Sequence, residues 1–286
     1  MPKILKILNA IILILLLAAA LLVAYARLVE PNRLITSVTH IASENAPERE
    51  GGVTVAVFAD THFGDHYTLK QFEKAVRAIN SRSPDIVLFC GDLIDDYSNY
   101  SGSASDISEA LLSIAAPMGK FAVYGNHDHG GGAHYAYSEI MENGGFQVLR
   151  NEHVEFGETG LTLIGLDDFL LGRGDANVVQ GTAKPDRYNI VLCHEPDIAD
   201  IILNCHVDLM VAGHTHGGQI NIGQESLPGY RHVFFPPYGR NYAKGMYRFN
   251  DDPRTLLYVN SGLGSTMLPF RFMAPPEISF FALSRS

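Results

Sequence analysis

The sequence predicts an α/β protein: two mixed β-sheets packed face to face with flanking helices, preceded by an N-terminal transmembrane helix. Three observations predict it. Apolar runs of strand length (Val53 to Ala59, Ile86 to Cys90, Phe121 to Tyr124, Ile190 to Cys193, Leu209 to Ala212) alternate with segments of helical period. Asp, His and Asn residues gather directly after each of these runs, and strand ends are where α/β folds bind ligands. Ahead of all this, Ile7 to Ala26 carries no charge and is about the twenty residues that cross a bilayer as a helix.

Residues 1–29 read as a membrane anchor, single-pass. The rival reading is a cleaved secretory signal, because Lys3 and Lys6 make a basic start and Ala24-Tyr25-Ala26 resembles a small-residue cleavage site. Lys3 and Lys6 nearly balance Arg27 and Arg33 across the span, so the side of the membrane taken by the rest of the chain stays open. Residues 30–52 are polar, broken by Pro31 and Pro47 and without periodicity, and are expected to form a linker. The folded domain is expected at 53–286.

Within that domain Val53 to Ala59 reads as a buried strand. Thr68 to Ser81 is an amphipathic helix with Leu69, Phe72, Val76 and Ile79 on one face and a Thr68/Gln71 capping box. Asp85 to Cys90 (strand), Asp106 to Ala115 (helix) and Lys120 to Tyr124 (strand) continue the βαβ series. His134 to Glu142 is a helix stopped by Asn143-Gly144-Gly145. Phe146 to Leu149, Val154 to Phe156 and Leu161 to Leu166 then read as a meander. A second sheet follows from Ile190 to Cys193, a helix from Pro196 to Leu203, Leu209 to Ala212, and strands at Gly245 to Phe249, Leu256 to Val259 and Ile278 to Leu283.

Composition narrows the function. With 47% hydrophobic residues the chain can build a core, which excludes a disordered protein. A net charge of −10 argues against a nucleic-acid partner held by phosphate neutralisation. Cys90, Cys193 and Cys205 sit in apolar runs and read as small core residues.

The chemistry lies in five clusters: Asp60-Thr61-His62, Gly91-Asp92, Gly125-Asn126-His127-Asp128, His194 and Gly213-His214-Thr215-His216. Singly, most have blander readings. Asp60 could cap a helix, Gly91-Asp92 is a common turn, and His194 could precede a helix opened by Pro196. Jointly, carboxylates, imidazoles and an amide oxygen are the donors that suit Mn, Fe or Zn, and one carboxylate can bridge two such ions about 4 Å apart. His127 lies between Asn126 and Asp128, so a metal-binding neighbour on one side and an orienting carboxylate on the other would suit it as general acid.

In order and spacing, Asp-x-His, Gly-Asp-x-x-Asp, Gly-Asn-His-Asp, a lone His after a strand and Gly-His-x-His resemble the calcineurin-like metallophosphoesterases, over about Val53 to Leu283. The resemblance implies their four-layer sandwich and two divalent metal ions. It implies Asp60, His62 and His216 as ligands of the first ion, Asp92 as the bridge, and Asn126, His194 and His214 as ligands of the second. It makes His127 the acid or phosphate-contacting residue, with Asp95 and Asp128 as supports. Within the family the chain resembles the anchored bacterial phosphodiesterase branch, similar to UDP-2,3-diacylglucosamine hydrolases of lipid A synthesis. It departs from the more familiar of these, which carry Arg where His127 stands.

The expected activity is therefore hydrolysis of a phosphodiester or pyrophosphate bond, of a lipid in one reading. The alternatives are a secreted phosphomonoesterase and a catalytically silent metal-binding membrane module. Arg173 and Arg271, in loop-like stretches with Arg231 and Arg240, are candidates for a phosphate clamp. Aromatic loops with arginines at Leu227 to Tyr242 and Met267 to Pro276 could meet lipid or equally plug the core beneath a loop. Asp167-Asp168 has no assigned role.

Overall fold

The computed structural model describes residues 3–157, 159–221 and 236–286. Arg231, His232 and the part of the aromatic stretch from Leu227 to Phe235 lie outside the described residues. Helix α1 (Lys3–Ala24) buries no side chain. Its path continues through a π-type turn at Tyr25–Val29 and a 3-10 turn at Glu30–Asn32. The whole run has the length and composition of a membrane anchor or a signal sequence.

Then come β1 (Ile35–Ser43), β2 (Val53–Phe58), α2 (Leu69–Asn80), β3 (Ile86–Phe89), α3 (Ala104–Leu112), β4 (Gly119–Ala122), α4 (Asn126–His129), α5 (Ala136–Asn143) and β5 (Gln147–Val148). The second half supplies β6 (Glu152–Phe156), β7 (Leu161–Gly165), α6 (Asn177–Thr182), β8 (Tyr188–Leu192), α7 (Ala199–Ile202), β9 (Leu209–Ala212), β10 (Gly245–Arg248), β11 (Leu256–Val259) and β12 (Glu277–Arg285).

Two mixed six-stranded sheets result, ordered β1-β12-β2-β3-β4-β5 and β10-β11-β9-β8-β7-β6. The strand alternation explains the layers. Val53, Val55 and Val57 of β2 point inward with Ile86 and Leu88 of β3 to meet Ile190, Leu192, Leu209 and Val211 of the other sheet. Ala56, Phe58, Val87 and Phe89 point outward onto α2, α3 and α5. On the far face Val191, Met210 and Leu257 meet Val179 of α6 and Ala199 and Ile202 of α7. Phe58 is fully buried with Phe89 at 4.8 Å and Phe72 at 6.0 Å between ring centroids. Burying one such ring contributes up to about 3 kcal/mol. The Gln71 side chain accepts the Thr68 N–H at 3.0 Å, so α2 opens as its sequence indicates.

Three expectations need correction. The stretch expected as a linker contains β1, which pairs along its whole length with β12. Its inward positions include Ser37 and Thr39 beside Ile35 and Ile41, an edge-strand pattern too polar to read as a buried run. The segment at 146–149, expected in a meander, gives β5, the far edge of the first sheet against β4. The last strand, β12, leaves the second sheet's neighbourhood in sequence and inserts between β1 and β2 of the first.

Candidate metal centre

The central strands of both sheets stop in register. Val57, Leu88 and Phe121 align across β2, β3 and β4, and Ile190 aligns with Leu209 across β8 and β9. The residues just past these strands therefore meet at one rim. Asp60 (φ 49°), His62 (φ 43°), Asp92 (φ 60°), His214 (φ 71°) and His216 (φ 53°) all hold left-handed backbones. Each such residue costs on the order of 1 kcal/mol, and a cluster of them marks a site whose side-chain directions outweigh local strain. Gly125 is required here: a Cβ would strike the Asp92 carboxylate.

Asp60, His62 and His216 converge so that one donor atom from each lies within 4.8 Å of the others; Asp92, His194 and His214 do the same. Asp92 joins the two groups, with Oδ2 3.4 Å from His62 Nε2 and 3.2 Å from His194 Nε2. Asn126 Oδ1 lies 3.3 Å from His194 Nε2. His62 Nε2 faces His216 Nε2 at 3.1 Å, and His194 Nε2 faces His214 Nδ1 at 3.0 Å. Each facing pair is satisfied by one proton between two nitrogens, and the same nitrogens would serve as ligands to a cation that displaced that proton.

The outer nitrogens fix the ring directions. His62 Nδ1 donates to Asp95 Oδ1 at 2.9 Å, His194 Nδ1 to the Cys90 carbonyl at 2.7 Å, His214 Nε2 to the Pro237 carbonyl at 2.9 Å, and His216 Nδ1 leans on the Gly264 carbonyl at 3.3 Å. Each ring thus presents its other nitrogen inward, the arrangement that prepares imidazoles as metal ligands.

Charge follows from this crowding. Burial raises the Asp60 carboxyl to about 6, with the His194 charge opposing. Burial works against a charge on His62, yet its hydrogen bonds to Asp92 and Asp95 win and lift it to about 9. Burial and then the His194 charge hold His214 down to about 3, and burial with the His62 charge holds His216 low as well. Protons on some rings and none on others compensate the buried carboxylates. Divalent cations would take over that compensation.

Two expected roles change. Asp128 does not touch the His127 ring; its carboxylate accepts the N–H groups of Asp92, Leu93 and Gly125 at 2.7, 2.9 and 2.9 Å, tying two strand-end loops together. The one-turn helix α4 folds Asp128 back over Gly125, away from its sequence neighbour. His127 is instead held by Asp95, whose carbonyl accepts from Nδ1 at 2.6 Å. Arg271 is not a solvent-facing fork. It is 0% exposed and donates from Nε to Gly264, Nη1 to Ala274 and Nη2 to Ser261, at 3.1, 2.7 and 2.9 Å to their carbonyls. Arg173 is exposed on the loop after β7, and its backbone N–H donates to Asp167.

Sequence reasoning gave Asp167 and Asp168 no role, and the structure gives both one. Asp167 accepts from His129 Nε2 at 2.7 Å, Arg150 Nη2 at 3.2 Å and the Arg173 N–H at 3.1 Å. Asp168 accepts the N–H groups of Leu171 and Gly172. Beside it, burial pushes Glu195 well above the usual carboxylate range, so the pair shares a proton behind His194. Against the opposing effect of burial, the His129 hydrogen bond and the Arg173 N–H bring Asp167 down to about 2. A folded value below the ordinary 3.8 means stability that is fully present above pH 3.8 and lost as pH falls through about 2. Asp167→Asn is expected to cost about 2 kcal/mol at neutral pH. Urea unfolding in micelles checks it: the gap between variant and parent should narrow steadily as pH falls from 3.8 through about 2, and a pH-independent gap would refute the assignment.

A carboxylate flanked by opposed histidines at the rim of a two-sheet sandwich defines a metal-binding site of the hydrolase type. The chain belongs to the calcineurin-like phosphoesterase family, whose model matches residues 53–218. It is 38% identical over 262 residues to the uncharacterized metallophosphoesterase YkuE of Bacillus subtilis, covering 91% of this chain and 88% of that one. A more distant relative is the UDP-2,3-diacylglucosamine pyrophosphatase LpxG of Chlamydia muridarum, 27% identical over 79% of this chain and 82% of the other. Among solved structures, a dimetal phosphatase from Danio rerio aligns with a TM-score of 0.45 at 11% identity, over 74% of this chain and 88% of its own. As a family member the protein is a metal-dependent phosphoesterase.

Proposed function

We propose that the protein is a membrane-anchored phosphodiesterase or pyrophosphatase holding two divalent ions, acting on a lipid phosphoester. Asp60, His62, Asp92 and His216 would hold one ion, and Asp92, Asn126, His194 and His214 the other. The observation that carries the reading is Asp92 Oδ2, within 3.4 Å of a histidine from each group. When bound, such a pair supplies Lewis acidity to a phosphoryl group and to the attacking water.

The chain's own part is positioning and proton transfer. The His127 side chain is 30% exposed, whereas those of His62 and His194 are wholly covered. Nδ1 is committed to the Asp95 carbonyl, so Nε2 is the nitrogen that can pass a proton to the leaving oxygen. Beside it a cavity of about 380 Å³, lined by His62, Asp95, Tyr67, Tyr100 and Asp106 among others, gives the leaving group room.

Anchoring is supported by the way α1 joins the domain. The Arg271 N–H donates to the Ala26 carbonyl at 2.9 Å, and buried Glu30 accepts the Ala274 N–H at 2.7 Å. These contacts use the residues on both sides of the Ala26 cleavage site. The finer substrate, UDP-2,3-diacylglucosamine, is suggested by the 27% identical relative named for it. The test is turnover by the full chain in detergent, loaded in turn with Mn, Fe and Zn, on a panel of phosphodiester, pyrophosphate, phosphomonoester and that nucleotide lipid. Metal-dependent cleavage of a diester or pyrophosphate is expected. Cleavage of monoesters alone would favour the secreted phosphomonoesterase, and bound metal without turnover the silent module.

A further inference from the structure

We propose that Ile220 and the loop from Met267 to Met273 form a second membrane contact, which seats the mouth of the metal centre against the lipid surface. The proposal rests on the anchor reading above for the presence of a bilayer. Strand direction gives the first argument. β1 runs parallel to β12 and antiparallel to β2, and β2 ends at Phe58, two residues ahead of Asp60. Residues ahead of Ile35 therefore emerge at the metal-binding rim, and α1 leaves the domain beside the site rather than behind it.

The surface around that exit is apolar. Met267 is 89% exposed, Leu268 54%, Met273 53% and Ile220 45%, beside Leu28 at 64% and Val29 at 50% at the end of the apolar helix. The patch is continuous with that helix: Phe272 packs edge-on against Tyr25 at 6.4 Å, and Phe272 and Arg271 join Gln219 and Ala26 by backbone hydrogen bonds. Met267 (φ 59°) and Met273 (φ 56°) hold left-handed backbones and carry two flexible apolar side chains in the open. Exposed Arg27 and Arg33 flank the patch, and Lys244 Nζ donates to the Met273 carbonyl at 2.9 Å. Apolar side chains rimmed by cations are the composition of a surface lying in the headgroup region of a bilayer.

The same loops reach the centre. Gln219 Nε2 donates to the carbonyls of Thr266 and Leu268 at 3.1 and 2.9 Å, and Thr266 Oγ1 donates at 2.7 Å to Asp95, which holds His62. A phosphoester at headgroup depth would thus meet the site without leaving its leaflet.

The chain contains no tryptophan, so a single introduced one reports its own surroundings. Met267→Trp, Met273→Trp and Leu112→Trp are placed in the full chain, reconstituted in phosphatidylcholine–phosphatidylglycerol vesicles with or without brominated acyl chains. Leu112, 59% exposed, lies at the far end of α3, beside the end of α2 remote from the metal rim, and controls for the pull of indole itself. Quenching of roughly half the emission at 267 and 273 but not at 112 is expected for side chains at that depth. Equal, weak quenching at all three positions in vesicles that carry the protein overturns the seat. A chain that fails to float with vesicles overturns the seat and the anchor together. Neither result depends on phosphodiester turnover, which tests the catalytic reading separately.

Discussion

Asp92→Asn is expected to lower turnover on the order of 1,000-fold or more, because it removes the one oxygen shared by both donor groups and the electrostatic term that usually dominates phosphoryl chemistry. The substitution keeps the shape of the side chain. Oδ1 could still accept the His127 N–H, which it does at 2.8 Å, so the loop geometry has no reason to change. What changes is charge. Burial resists the Asp92 negative charge, but the surrounding His194 and His62 hold its carboxyl well below the usual range, so it is an anion at working pH. An amide at Oδ2 turns an acceptor into a donor aimed at His62 and His194. Metal content measured on the purified variant should fall from two ions per chain towards one, with the circular dichroism spectrum unchanged. Full turnover by a folded Asp92→Asn protein would end the two-metal interpretation.

His127→Ala should cost about 100- to 10,000-fold, the range of general-acid contributions, without loss of metal. The size of the loss should depend on the leaving group. A p-nitrophenolate departs without a proton and should suffer least, whereas an aliphatic alkoxide needs the proton and should suffer most. A deficit equal for both would mean that the ring binds phosphate rather than protonating the leaving oxygen. The position of His127 depends on Asp95, since one residue holds His62 through its carboxylate and His127 through its carbonyl.

Much of this site was legible in the sequence because its donors follow apolar strands directly, so chemistry and fold mark the same positions. The run Val53 to Ala59 announces both a core strand and the place where Asp60 must emerge. What the sequence withheld is spatial. Asp128 adjoins His127 in the chain, but one helical turn carries it to the amides of Asp92 and Leu93, and no local pattern reports that turn. Arg271 stands among loop-forming residues, and burial of a guanidinium among carbonyls depends on segments far away in sequence. The interior of β1 is half Ser and Thr, so its only strong signal is its partner β12, which begins at Glu277. Strand order depends on long-range register and is not written locally.

The place of β1 has a practical result for anyone shortening the chain. A version starting at Val53, the expected domain start, would strip the outermost strand from the first sheet and leave β12 with a long unpaired backbone edge carrying Ile278, Phe280 and Phe281. Such edges recruit other chains, so that version would be prone to aggregate through intermolecular pairing. The safe cut lies ahead of Ile35.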